Sequence, residues 1–136
     1  MTAVTTAAPR TDTFLRRVLL LDAILTGASA LMWVGLTGFL HDLTGLPEGL
    51  LRGAGLVLLP YVAFLAYIAT RPEVPRKGAW AAVIINALWT VDSVIVLVAG
   101  WAGDLNALGV GYVLFIAAVV LGFAELQYIG LRKARR

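Results

Sequence analysis

The chain is built of four long apolar stretches parted by short polar ones. Residues 18–40, 50–70, 79–101 and 107–131 are rich in Leu, Val, Ile and Ala and nearly free of charge. About 20 consecutive apolar residues make a helix that crosses a bilayer, and each stretch supplies that length. The connectors HDLTGLPEG, RPEVPRKG and AGDLN are short and full of turn formers. This layout predicts an all-α fold, a polytopic membrane protein with an up-down four-helix transmembrane bundle. Pro60, midway along the second stretch, predicts a kink. Residues 1–13, MTAVTTAAPRTDT, are small, polar and aperiodic, as expected of a disordered cytoplasmic tail. Residues 14–131 then form the transmembrane domain and residues 132–136 a basic cytoplasmic tail.

Composition agrees with lipid as the solvent. Of the 136 residues 60% are hydrophobic and 14% charged, and the mean hydropathy is +0.88. Soluble domains have about 45–50% apolar and about 25% charged residues. Arg16 and Arg17 followed by VLLLDAILTGASA are similar to a secretion signal. The apolar run continues through LMWVGLTGFL, however, and Asp22 interrupts it, so a retained first span is expected.

Charge sets the orientation. Arg10, Arg16 and Arg17 precede the first span, Arg71, Arg76 and Lys77 join the second to the third, and Arg132, Lys133, Arg135 and Arg136 follow the fourth. On the other side Arg52 is the single cation, among Asp42, Glu48 and Asp104. The positive-inside rule predicts that both termini are cytoplasmic. The net charge of +3 therefore reads as a topology signal with an anionic-lipid contact for the tail, and nucleic acid is not an expected partner. The absence of cysteine excludes disulfide and thiol chemistry. One histidine, His41, is too few for a bis-histidine haem or a metal site. No cofactor and no metal are expected.

The candidate chemistry lies in residues 84–93, IINALWTVDS, which set an amide, two hydroxyls, an indole and a carboxylate inside an apolar run. Residues 21–29, LDAILTGAS, echo them: Asp22 stands for Asn86, Ala23 for Ala87, Thr26 for Thr90 and Ser29 for Ser93. The echo continues from GFLHDLT at 38–44 to GWAGDLN at 100–106, so the chain reads as two repeated helical hairpins related by an axis along the membrane normal. Polar groups in a lipid-facing sequence mark a lined interior. Helical spacing puts Asn86, Thr90 and Ser93 on one stripe with Trp89 at its flank. Asp22, Thr26, Ser29 and Trp33 form a second stripe, and Gly111, Ala118, Gly122, Glu125 and Tyr128 a third. At ~1.5 Å per residue, Asp22, Asn86 and Glu125 fall roughly 5–10 Å inside the cytoplasmic boundary and are expected to meet in one layer, with Tyr67 and Tyr128 nearby.

Two readings of that layer stay open. It is either a set of interhelical hydrogen bonds, or a site where Asp22 and Glu125 share a buried proton for acid–base chemistry. Asp92 lies deeper and has two readings as well, a structural pair with Arg52 or an acid–base carboxylate facing an outward cavity. Both require that Asp92 not face lipid. Asn86, Trp89, Thr90, Ser93, Thr26, Trp33 and Tyr128 are the candidate ligand-binding residues, with Trp33 and Trp89 read either as packing or as a stacking wall. Trp80, Trp101 and Tyr112 fall at predicted boundaries as interfacial anchors. Gly53, Gly55, Gly109 and Gly111 read as close helix contacts.

The hairpin-plus-hairpin layout, with Asn86-Ala87-Leu88-Trp89 and FAELQYIGLR at residues 123–132, resembles small four-helix integral membrane proteins of bacteria. The resemblance covers nearly the whole chain and implies a bacterial cytoplasmic (inner) membrane, and no activity. Small multidrug-resistance transporters share four short helices and a membrane acid. Here, however, Asp22 is near the end of its span, and the charge bias opposes an antiparallel dual-topology pairing. Three functions are compatible with these residues. One is an accessory, oligomerising or lipophilic-ligand-binding bundle, with membrane lipids, a lipophilic small molecule, a homo-oligomer or a larger membrane complex as partners. Another is a membrane-embedded acid–base enzyme, an isomerase or cyclase acting on a lipophilic substrate. The third is a proton-coupled small transporter, which requires an oligomer.

Overall fold

The computed structural model describes residues 13–103 and 105–134. The tail read at 1–13 lies outside them except for Thr13, as do Asp104 and the last two residues of the basic tail. The described residues form five helices: α1 Thr13–Gly35, α2 Thr37–Thr44, α3 Glu48–Ala69, α4 Arg76–Ala99 and α5 Ala107–Ala134. Four of them, α1, α3, α4 and α5, are long and apolar enough to cross a membrane, the architecture of a multi-pass membrane protein. They run up and down as a bundle.

The first span differs from expectation in its outer third. Expected as one helix over 18–40, it begins earlier, at Thr13, and is broken at Leu36 (φ −118°, ψ 33°), with α2 continuing beyond the break. The chain stays hydrogen-bonded through it, Leu36 N–H to the Met32 carbonyl at 2.7 Å and Leu40 N–H to the Leu36 carbonyl at 2.9 Å. The Thr37 hydroxyl donates to the carbonyls of Trp33 (2.6 Å) and Val34 (3.0 Å). Such back-bonding of a threonine onto the preceding turn bends helices. Gly45, at φ 82°, ends α2 by returning its N–H to His41. Pro60 sits within α3 and leaves the Leu56 carbonyl without its helical donor.

Around the bundle the order is α1, α3, α4, α5. The closest packing is of α1 along α3 and of α4 along α5; α1 and α5 join the pairs, while α3 and α4 touch only sparsely. One end of the bundle is basic. The Arg16 guanidinium donates to the carbonyls of Ala69, Arg71 (2.6 Å) and Pro72 (3.0 Å) at the end of α3. Arg76 reaches the Leu131 carbonyl of α5 at 3.2 Å. Cations at helix C-termini meet unpaired carbonyls and the negative end of the helix dipole. At the opposite end Asn106 caps α5, its Oδ1 accepting from Gly109 N–H at 2.8 Å, while its amide donates to the Leu43 carbonyl of α2 at 3.0 Å.

Two apolar clusters fill the interior. Leu15, Leu19, Leu65, Ile68 and Leu131 pack at the basic end, and Trp33, Leu40, Leu46, Leu51 and Leu58 at the other. Tyr61 touches both. The outside is apolar as well, with Ile24, Leu31, Val57 and Val98 exposed, the last at 82%. That is the surface a helix presents to lipid.

Of the glycines expected at helix contacts, two are. A Cβ on Gly55 would lie 2.8 Å from Val34 and 3.1 Å from the Ala30 carbonyl, and one on Gly109 would run into the Thr44 carbonyl. Gly53 and Gly111 face open space. Gly55→Leu is therefore expected to destabilise the bundle by about 1–3 kcal/mol, the usual cost of overpacking. Gly53→Leu is expected to leave it unchanged. Unfolding of both variants in bicelles checks the pair, and equal effects would contradict the α1–α3 contact.

Candidate functional site

Roughly 10–15 Å from the basic end, counting ~1.5 Å per residue from the helix termini, each spanning helix sends a polar side chain inwards. Asp22 comes from α1, Tyr61 from α3, Asn86 from α4 and Gln127 from α5. Asp22, Asn86 and Gln127 are at most 3% exposed and form a closed triangle. The Asn86 amide donates to Asp22 Oδ2 at 2.8 Å and to Gln127 Oε1 at 3.0 Å, and the Gln127 amide donates to the same Asp22 oxygen at 2.7 Å. Thr26 donates to Asp22 Oδ1 at 2.8 Å, one turn along α1. The Tyr61 hydroxyl donates to Asn86 Oδ1 at 2.9 Å. Both Asp22 oxygens are thus engaged, each as an acceptor, and no cation is part of the network. Buried polar groups in a membrane are tolerated on this condition, that each finds a partner.

The expected layer therefore exists with a different membership, and somewhat deeper than the roughly 5–10 Å expected because α1, α4 and α5 extend further at the basic end. Glu125 is exposed and has no part in it. Gln127 lies two residues on, roughly 200° around the helix, in the buried set with Phe123, Ala124 and Leu131. The stripe of Gly111, Ala118, Gly122, Glu125 and Tyr128 turns outwards instead, with only Gly122 partly covered. The Asp22–Glu125 carboxylate pair is thereby replaced by a carboxylate held between two amides. Tyr67 and Tyr128 are exposed at the basic end, under the guanidiniums of Arg71 and Arg132. Tyr61 is the tyrosine that enters the layer.

The remaining candidates divide by depth. Thr90 donates to the Asn86 carbonyl at 3.0 Å and to the Ala117 carbonyl of α5 at 3.4 Å, a link between α4 and α5. Ser93 donates to the Trp89 carbonyl at 2.8 Å. Trp33 and Trp89 stack with ring centres 6.0 Å apart, and the Trp33 indole N–H donates to the Tyr112 hydroxyl at 2.7 Å. Tyr112 is thereby part of the interior, not the interfacial anchor expected of it. Trp101 is 71% exposed, and Trp80 meets Tyr128 edge-on at 5.6 Å. Arg52 lies 3.9 Å from Glu48 on its own helix, both exposed. Among the described residues no ion pair joins it to Asp92, because the glutamate one turn away on α3 is nearer to hand.

The Trp33–Trp89 pair borders two cavities. The inner one, about 350 Å³, reaches from the Asn86 and Tyr61 side chains to the two indoles, past Thr26, Ser29 and Phe123. The outer one, about 210 Å³, lies beyond the indoles beside Asp92, Ser93 and Tyr112, and its surface is almost wholly apolar. Asp92 itself is exposed on α4, so the requirement that it turn away from lipid is not met, and both readings of it, the pair with Arg52 and the carboxylate of an outward cavity, are set aside. Of the sequence candidates, Thr26, Trp33, Asn86 and Trp89 line the inner cavity and Trp33, Trp89 and Ser93 the outer. No protein family, curated protein or solved structure matches this chain. The geometry is therefore the basis for assigning a role.

The sequence reading missed Gln127 and Tyr61. Their signal is helical spacing to apolar neighbours, Phe123 and Leu131 at four residues on either side of Gln127, and Leu58 and Leu65 around Tyr61. Tyr61→Phe removes one neutral hydroxyl, whose hydrogen goes to Asn86 Oδ1 at 2.9 Å with the Ala82 carbonyl also within reach at 3.4 Å. It is expected to cost about 0.6 kcal/mol, the average for bonds between membrane helices, as read by unfolding in bicelles.

Proposed function

We propose that the protein is a membrane-embedded four-helix bundle that holds a lipophilic small molecule in its core, acting alone, as a homo-oligomer or as the accessory subunit of a larger membrane complex. The observation that carries this reading is the inner cavity. At about 350 Å³ it falls within the ~300–1,000 Å³ of small-molecule sites. Its wall is mostly apolar, and Asn86, Tyr61, Thr26 and Ser29 are its polar points, a composition suited to an apolar ligand with one hydrogen-bonding group. The triangle beneath it supports a clasp rather than a reactive centre, since donors already occupy both oxygens of Asp22. An acid–base enzyme would need a carboxylate oxygen open to the cavity at this layer.

The proposed site of action is the bacterial cytoplasmic membrane with both termini inside. Support comes from the collection of Arg16, Arg71, Arg76 and Arg132 at one end of the bundle, the end that the positive-inside rule keeps in the cytoplasm. The reading is tested by extracting purified protein with organic solvent and identifying by mass spectrometry what it retained. An apolar molecule retained near one per chain, and lost when Val120→Trp fills the inner cavity, is the expected result. Equal retention by both forms, or by neither, would overturn it.

A further inference from the structure

We infer that the seam of α4 and α5 at the basic end is a binding site for one anionic phospholipid. Its phosphate is held between Arg76 and Arg132, and its acyl chains lie along the exposed side of the two helices. The site is outside both cavities and does not depend on the ligand-binding reading above.

Two rungs cross this seam, one helical turn apart. The first is cationic. Arg76 of α4 donates from Nη1 to the Leu131 carbonyl of α5 at 3.2 Å, which brings it to the turn that carries Arg132. The second is aromatic. Trp80, four residues after Arg76, meets Tyr128, four residues before Arg132, edge-on with ring centres 5.6 Å apart. The Arg132 guanidinium lies over the Tyr128 ring at 5.8 Å and so joins the rungs. Arg76, Arg132, Trp80 and Tyr128 are all exposed.

The cationic rung lacks an anion. A guanidinium carries five N–H donors. Among the described residues Arg76 spends donors on the Leu131 carbonyl alone, and Arg132 makes no hydrogen bond. The carboxylates nearest in sequence, Glu73 ahead of α4 and Glu125 two turns before Arg132, form no ion pair with either arginine among the described residues. Phosphate accepts paired N–H bonds from a guanidinium and matches its planar fork. The other cations of this end are placed differently. Arg16 is turned onto the carbonyls of Ala69, Arg71 and Pro72, while Arg71 and Lys133 each lie over one ring, Tyr67 and Phe14.

The surroundings point to a lipid rather than a free phosphate. Tryptophan and tyrosine sit at headgroup level in a bilayer. Beneath them Ile84 and Leu88 continue the Trp80 stripe at four-residue steps, and Leu121 continues the Tyr128 stripe two turns on. All three are exposed, at 54%, 56% and 44%, and they form an apolar track directly below the arginines. A free phosphate would leave that track unused. Net negative charge is selected as well. A choline headgroup would bring a cation up to two arginines, with the Tyr128 face already taken by Arg132, whereas a phosphatidylglycerol headgroup brings the phosphate charge alone.

The test is native mass spectrometry of the full chain released from nanodiscs that hold equal amounts of phosphatidylglycerol and phosphatidylcholine with the same acyl chains. The expected result is one phosphatidylglycerol retained per chain, preferred by about tenfold or more, the lower end of what a hydrogen bond to a charged group contributes. Arg76→Gln and Arg132→Gln should each lower that preference by about tenfold. Arg17→Gln and Arg71→Gln, which remove exposed charges elsewhere at the same end, should leave it unchanged. Because Arg132 makes no hydrogen bond among the described residues, Arg132→Gln keeps the test decisive should Arg76→Gln fail to fold. Equal retention of the two lipids, or an equal loss in all four variants, would overturn the site in favour of diffuse surface charge. Displacement of the lipid by glycerophosphoglycerol or inorganic phosphate would overturn it in favour of a free-anion site.

Discussion

Asp22→Ala is expected to destabilise the bundle by about 2–4 kcal/mol, while Asp22→Asn leaves it close to the parent. Alanine withdraws the acceptor from three donors at once, the amides of Asn86 and Gln127 and the hydroxyl of Thr26. A buried donor left unpaired costs about 1–3 kcal/mol. Part of that is recovered, because the two amides can still bond each other and Thr26 can turn to its own backbone. Asparagine keeps the pattern. Its oxygen can take the place of Oδ2 and accept from both amides, and its NH2 then faces the Thr26 hydroxyl, which changes from donor to acceptor. Thr26→Val should be costly in both backgrounds, since valine leaves Asp22 Oδ1 without its donor in the parent and the new NH2 group without an acceptor in Asp22→Asn. Unfolding of the four forms in bicelles checks it. A loss for Asp22→Asn as large as for Asp22→Ala would mean that the negative charge, rather than the acceptor geometry, is what the site requires.

The other large effect falls on Trp33. Trp33→Ala is expected to cost about 3–5 kcal/mol, the range for removing a large aromatic side chain from a packed interior. Trp33 is 6% exposed, stacks on Trp89 and donates to Tyr112, so it ties α1 to α4 and α5 in the outer half. Its loss also joins the inner and outer cavities, which both border it. Trp33→Phe retains one ring and forfeits the hydrogen bond and the second ring of the indole, so it should lose about 1 kcal/mol from the bond and a further part from the smaller side chain, less in all than Trp33→Ala. A Trp33→Ala variant as stable as Trp33→Phe would show that the indole wall is not a packed element.

The lengths and number of the spans were legible because lipid imposes a plain requirement, an unbroken apolar stretch of fixed extent. The inward direction of Asp22, Asn86, Trp33 and Trp89 was legible for the related reason that polar and amphipathic groups turn away from hydrocarbon. Glu125 is where that argument misled. It takes no account of a stronger competitor on the same helix, and Phe123, Ala124, Gln127 and Leu131 define a buried face on α5 that excludes Glu125. The break at Leu36 depends on a threonine bonding back to Trp33 and Val34, a local geometry that hydropathy does not encode. The Arg52–Asp92 pair was inferred from opposite charges on one side of the membrane. Glu48, one turn from Arg52 on the same helix, was the nearer partner. Tyr112 looked like an anchor by its position near a boundary, and its hydroxyl is instead held by an indole from across the bundle.

The claim beneath all of this is that α1 and α5 meet through Asp22 and Gln127 inside the bundle. A double-mutant cycle in lipid measures that meeting directly, using Asp22→Ala, Gln127→Ala and the two combined, with Glu125→Ala in place of the glutamine change as the control. The expected result is a coupling of about 1 kcal/mol or more between Asp22 and Gln127, and additivity within ~0.5 kcal/mol between Asp22 and Glu125. Additive effects for Asp22 and Gln127, with coupling between Asp22 and Glu125, would contradict it.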